Sequence, residues 1–128
     1  MNTAQLQKTL RASQYAEQIL NLHQNTLEQD AVVHPFDQSL STENLQLLIQ
    51  QSLAGLQDET QWMRALRVLR ARLMFRWIWQ DANQLTDVVT LTRELSDFAD
   101  GCIVAAKAFA LIPLLAKHGE PIGYSGKV

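Results

Sequence analysis

Residues 63–109 read MRALRVLRARLMFRWIWQDANQLTDVVTLTRELSDFADGCIVAAKAF. In the first half of this stretch the apolar residues recur at steps of three and four, which is the spacing of one face of an α-helix. Further large apolar residues cover much of the remaining circumference, as in a helix that is buried on most sides. Just upstream, Asp58 and Gln61 have the spacing of a capping box. We therefore expect a central helix from about Glu59 to Asp81.

The second half of the stretch carries a seam of apolar residues at alternating steps of three and four, as in a heptad repeat. The seam consists of Val88, Leu91, Leu95, Phe98, Cys102, Ala105, Phe109 and Ile112. Thr86 is expected to cap this helix, and Pro113 is expected to kink or end it. Because a connection of about five residues joins antiparallel neighbours in helical bundles, we expect the seam to pack along the central helix.

Three shorter helices are expected upstream. The first runs from about Ala4 to Arg11, the second begins after a cap at Ser13, and the third extends from Ser41 to near Gly55. Residues 30–40 lose the helical period and contain a proline, which predicts a connecting loop. The sequence therefore predicts an all-α fold of about five helices in a bundle, with one long antiparallel helix pair.

The end of the chain differs from the rest in composition. Residues 119–128, GEPIGYSGKV, contain three glycines and a proline and show no periodicity. We therefore divide the chain into a helical region, 1–118, and a segment with the character of a linker, 119–128.

Composition excludes several classes of function. Eleven Lys and Arg against thirteen Asp and Glu give a net charge of -2, so no overall positive field favours nucleic acid or an anionic membrane. No stretch approaches the ~18 apolar residues of a membrane span, and the start lacks the apolar core of a secretory signal. The single cysteine, Cys102, is best explained as a small buried apolar residue in a reducing compartment. We expect a cytoplasmic protein.

The sequence offers no catalytic, cofactor-binding or metal-binding constellation. The three histidines, His23, His34 and His118, lie on separate segments without a cysteine or a carboxylate pair at ligand spacing. A glycine-rich phosphate loop, a nucleophile elbow and an Asp-x-Asp pair are all missing from the sequence. Asp97 and Asp100 share a helical face, as acids on a solvated edge or in ion pairs do.

The strongest local feature is a series of arginines in the central helix: Arg64, Arg67, Arg70, Arg72 and Arg76. Nucleic-acid binding is disfavoured, because at ~100° per residue the five scatter around the helix. They could instead extend their charged ends to the surface or pair with carboxylates from neighbouring helices, such as Glu94, Asp97 and Asp100. In the third interpretation Arg67 and Arg70, which fall toward the main apolar side, are candidate residues of a domain interface, since arginine beside tryptophan is typical of interfaces.

The same stretch resembles the helical segment before the first catalytic domain of the glutamine synthetase adenylyltransferase family. The residues that match the family's two motifs are Leu66-Arg67, Arg70, Arg72, Met74 and Arg76, then Leu95-Ser96 and Ala99-Asp100. Leu69 and Ala71 stand where the family has Phe and Arg. Upstream, Ser13-Gln14-Tyr15 with His23 is similar to a further family helix, although Gln24 replaces a proline there.

The resemblance implies a parent enzyme that transfers AMP from ATP to a tyrosine of glutamine synthetase and removes it by phosphorolysis. A PII protein and glutamine would signal to it, and ATP and Mg would bind in nucleotidyltransferase domains. This sequence contains none of those catalytic motifs. The resemblance therefore implies a non-catalytic N-terminal helical portion, in which residues 119–128 are a linker toward an absent nucleotidyltransferase domain and the partner is the remainder of the polypeptide. The alternative is a stand-alone helical interaction module without an enzymatic parent.

Overall fold

The structure is a computed structural model that describes the backbone of residues 1–118 and the side chains of residues 1–112. The predicted linker, 119–128, lies outside the described residues. Within them the fold is all-α, as expected, and no strand is present. The helices are α1 (Thr3–Ala12), α2 (Gln14–Val33), α3 (Thr42–Leu53), α4 (Glu59–Ala82) and α5 (Val88–His118).

Polar side chains begin the helices close to where the sequence predicts. The Ser13 hydroxyl accepts from the Ala16 amide, and Ser41 and Asp58 cap α3 and α4 in the same way. The predicted cap at Thr86 is wrong. Asp87 takes that role, because its carboxylate accepts a hydrogen bond of 2.7 Å from the backbone amide three residues further on. A carboxylate at this position is also stabilised by the positive end of the helix dipole.

The predicted start of the loop after α2 is also wrong. The loop expected over residues 30–40 begins only after Val33, since α2 continues through Asp30 and ends just before Pro35, with a kink at His23 on the way. At the other end of the chain α5 passes through Pro113 to His118, so the proline does not end the helix. Proline removes one hydrogen bond from a helix interior, and a long helix supported by packing tolerates that loss.

The central position predicted for α4 is confirmed. It packs on α1, α2 and α3, and it contributes more buried side chains than any other helix in the part of the chain described. One apolar cluster joins its Leu69, Leu73 and Trp77 to α3 and α5. The second cluster joins its Phe75 and Trp79 to α2 and to the loop after it. Large apolar residues on opposite sides of α4 therefore hold the two halves of the bundle together.

The long helix α5 runs antiparallel to α4, as expected, and the two helices meet through large side chains. Trp62 stacks on Phe109 with ring centroids 5.0 Å apart, and Trp77 meets Phe98 at 6.0 Å. Backbone contacts of α5 are made instead with α3. A Cβ added to Gly101 would lie 2.5 Å from Cδ1 of an isoleucine on α3, so the glycine permits this close approach.

The seam predicted for α5 is partly wrong. Leu91, Phe98, Cys102 and Ala105 pack into the cluster, but the structure leaves Leu95 42% and Val88 79% exposed. The fully buried residue at that level is Glu94, whose carboxylate accepts from the Trp77 indole at 3.2 Å. A strict heptad drifts by ~20° per repeat on a straight helix, so Val88 and Leu95, at the N-terminal end of the seam, are turned away from the buried side. In residues 1–118 no helix is long and apolar enough to cross a membrane.

Candidate interface residues on the fourth helix

The arginines of α4 divide into two groups, and the first group points into the bundle. Arg72 forms a bidentate ion pair with Asp30 of α2, with its Nε and Nη2 atoms 2.8 and 2.7 Å from the two carboxylate oxygens. Both side chains are partly shielded from water, at 18% and 23% exposure. The pair fixes the last turns of α2 to the middle of α4. This pair agrees with the interpretation that the arginines pair with carboxylates of neighbouring helices, although the acid lies on α2 and not on α5.

Arg76 is the most deeply buried cation among the described residues, with 3% of its surface exposed. Its guanidinium donates to the backbone carbonyls of His34, Pro35 and Gln38 and lies 5.6 Å above the Phe36 ring. Burial lowers the pKa of Arg76, and nearby carboxylates, Glu94 first among them, oppose that shift. The side chain therefore holds the loop between α2 and α3 against α4.

The second group lies in solvent. Arg64, Arg67 and Arg70 are exposed, and none forms an ion pair with a carboxylate of the described residues. Together with half-exposed Met63 they occupy about a third of the helix circumference at 100° per residue. We call Met63, Arg64, Arg67 and Arg70 the arginine strip. The expectation that Arg67 and Arg70 fall toward the main apolar side is wrong, because that side is occupied by Leu69 and Leu73.

Among the described residues, the ion pairs of the acids on α5 are formed with Arg93 of the same helix and not with the arginines of α4. Asp97 accepts from Arg93, four residues earlier, at 2.9 Å and from Thr42 at 2.8 Å. The same arginine donates to the backbone carbonyl of Leu40 at 2.6 Å, so it ties α5 to the loop before α3. The spacing of Arg93 and Asp97 is a signal that sequence reasoning missed. Asp30, which pairs with Arg72, had no such signal because 42 residues separate the two.

The described residues present little that could bind a metal. They contain no group of three His, Cys, Asp or Glu side chains placed to hold an ion. His23 and His34 are both on or next to α2, and His118 lies beyond the last described side chain. Cys102 is half-buried, and burial raises the pKa of its thiol, which disfavours the reactive thiolate. The arginine strip is therefore the feature best suited to an interaction.

Comparison with known proteins gives a family for almost the whole chain. A family model described as glutamate-ammonia ligase adenylyltransferase matches residues 3–127. A protein of Acinetobacter baylyi named bifunctional glutamine synthetase adenylyltransferase/adenylyl-removing enzyme is 66% identical over 128 residues, which is 100% of this chain. Proteins of the same name from Hahella chejuensis and Thioalkalivibrio sulfidiphilus are 37% and 38% identical over 76 and 71 residues, or 59% and 56% of this chain.

These relatives are much longer than the present chain. The match spans 14% of the Acinetobacter baylyi protein and 8% and 7% of the other two. No solved structure matches the chain.

Proposed function

Because the chain belongs to the glutamate-ammonia ligase adenylyltransferase family, we propose that it is a non-catalytic helical portion of an enzyme that adenylylates glutamine synthetase and removes the adenylyl group. The observation that carries this proposal is the 66% identity over the full chain to a protein of that name. A stand-alone interaction module is not favoured, because the match is to a small part of a long polypeptide.

Within this proposal the chemistry belongs to the rest of the polypeptide. The described residues do not fit a magnesium site, because they lack a cluster of three potential ligands. We therefore assign ATP and Mg binding, as well as contacts with glutamine synthetase and a PII protein, to the longer enzyme. A cytoplasmic location agrees with the single free cysteine. The role left to this chain is to pack against the catalytic part and support it.

We assign Arg67 and Arg70 to that packing. Both are exposed on a rigid helix, beside Met63, and neither is needed for an ion pair within the described part of the bundle. Arginine and methionine are enriched at protein interfaces, where a guanidinium can pair with a carboxylate and its stem can cover apolar surface. The two residues would therefore bind a surface of the longer enzyme that carries Asp or Glu.

The test is a chimera in which this chain replaces the matching region of the Acinetobacter baylyi protein. AMP transfer to glutamine synthetase is measured for the chimera, for the protein lacking the region, and for a chimera with Arg67→Met and Arg70→Met. We expect activity in the chimera, loss on deletion, and a reduced activity or melting temperature in the double variant. Arg11→Met, on an exposed residue of α1, is the matched control and should change neither.

Two results would count against the proposal. Full activity after deletion of the region would show that the helices do not support the enzyme. Normal activity and melting of the chimera that carries both arginine substitutions would remove Arg67 and Arg70 from the interface while leaving the wider proposal intact.

A further inference from the structure

The outer side of α5 is an exposed apolar face. Ile103 is 55% and Leu95 42% exposed, and the alanines on the same side are also in solvent. The face, which we call the outer α5 face, consists of Val88, Leu95, Ala99, Ile103, Ala106 and Ala110. These positions follow one another at steps of seven, four, four, three and four, with the exposed polar residue Thr92 inside the step of seven, so they form one stripe along the helix.

This stripe lies away from every other described helix. The residues of α5 that are most deeply packed into the bundle, Glu94, Phe98 and Gly101, lie about 100–160° from the middle of the stripe at 100° per residue. A surface helix with one buried stripe normally carries polar residues on its outer side. Here the exposed charged residues Asp100 and Lys107 lie beside the stripe and not within it.

The composition of the stripe suits a second helix. Alanine at three of its six positions lets another helix approach closely, and spacing by three and four matches the ridges of a helical partner. From Val88 to Ala110 the stripe is ~33 Å long at 1.5 Å per residue, which is enough for six turns of contact. Asp100 and Lys107 lie at the edge of the stripe. They would favour a partner helix that places a basic residue beside Asp100 and an acidic residue beside Lys107.

We propose that the outer α5 face is covered by a helix of the longer polypeptide, from outside the region that matches this chain. The inference rests on the proposed function. Its basis is the length of that polypeptide: the whole chain aligns with 14% of the Acinetobacter baylyi protein, so most of that protein lies outside the match. Contiguous exposed apolar surface of this kind marks an interaction site in a folded protein.

The experiment measures the accessibility of a cysteine placed in the stripe. In a Cys102→Ala background, Ala106→Cys is labelled with a maleimide in the isolated chain and in the chimera, and the labelled peptide is quantified by mass spectrometry. Gln46→Cys, on an exposed residue of α3, is the matched control. We expect Ala106→Cys to react at least about tenfold more slowly in the chimera than in the isolated chain. A tenfold difference corresponds to a free-energy cost of ~1.4 kcal/mol for uncovering the face. The control reacts at the same rate in both.

Equal labelling of Ala106→Cys in the isolated chain and in the chimera would overturn the proposal. Protection that is already present in the isolated chain and grows with its concentration would also overturn it, because a second copy would then cover the face. The readout is independent of activity. An active chimera without protection contradicts only this inference, whereas a protected chimera without AMP transfer contradicts only the proposed function.

Discussion

Replacing Arg76 by Met should destabilise the bundle strongly, although methionine is similar in length to the apolar stem of the arginine side chain. The guanidinium donates to three backbone carbonyls of the loop between α2 and α3, at His34, Pro35 and Gln38. Only 3% of the arginine is exposed, so water cannot easily replace the lost donors. The carbonyl of Gln38 keeps a second donor, the side chain of Gln80 at 2.8 Å.

The magnitude follows from these contacts. Hydrogen bonds to a charged group contribute ~1.5–3 kcal/mol each, so three contribute about 4–9 kcal/mol before the cost of burying the charge is subtracted. Removing the guanidinium recovers that desolvation cost, which amounts to several kcal/mol. One carbonyl, that of His34, is then left without a donor, at ~1–3 kcal/mol, because the Pro35 carbonyl also accepts from the backbone amide of Gln38 at 3.1 Å. We expect a net loss of about 3–5 kcal/mol, a large part of the ~5–15 kcal/mol that stabilises a typical domain.

Urea unfolding followed by circular dichroism measures the effect, with the urea dependence checked for a constant slope. Arg67→Met and Arg70→Met are the matched controls, because both arginines lie in solvent on the same helix. Each control should change the free energy of unfolding by less than ~0.5 kcal/mol. A loss below about 1 kcal/mol for Arg76→Met, or an equal loss for a control, would refute the assignment of Arg76 as the residue that holds the loop.

Phe98→Ala should lower the free energy of unfolding in urea by ~3–5 kcal/mol, whereas Leu95→Ala should lower it by less than ~1 kcal/mol. A larger loss for Leu95→Ala would support the buried seam expected from the sequence. Asp87→Ala should destabilise the isolated chain more than Thr86→Ala, as measured by thermal melting. A hydrogen bond from the Thr90 amide lowers the pKa of Asp87 in the folded protein. The stabilisation that the Asp87 carboxylate gives to the fold is therefore present above its unfolded pKa of ~3.9, and it is lost as the pH falls through the lower pKa of the folded state. Asp87→Ala should accordingly weaken the fall in melting temperature below pH 4; an unchanged acid profile would contradict the assignment. Calorimetry of the isolated chain with ATP and magnesium should show no tight binding, and a strong magnesium-dependent signal would contradict the assignment of nucleotide binding to the longer enzyme.

Much of the fold is readable from local sequence because the forces behind it are local. Ser13, Ser41 and Asp58 begin helices where a capping side chain is needed, and the apolar residues on most sides of residues 59–82 make α4 central. A resemblance in residues 63–109 also indicated the family that the comparisons show. None of these features depends on how the helices are placed relative to one another.

Only the tertiary structure decides which way particular side chains face. The sequence could not separate Arg72 and Arg76 from Arg67 and Arg70, because the partners of the inward pair are a carboxylate and loop carbonyls about 40 residues away. The shift of burial from Leu95 to Glu94 has a similar cause. Periodicity gives the existence of an apolar stripe, but the rotation of a helix about its axis depends on the neighbours it packs against, here α3 through Gly101 and α4 through Trp77.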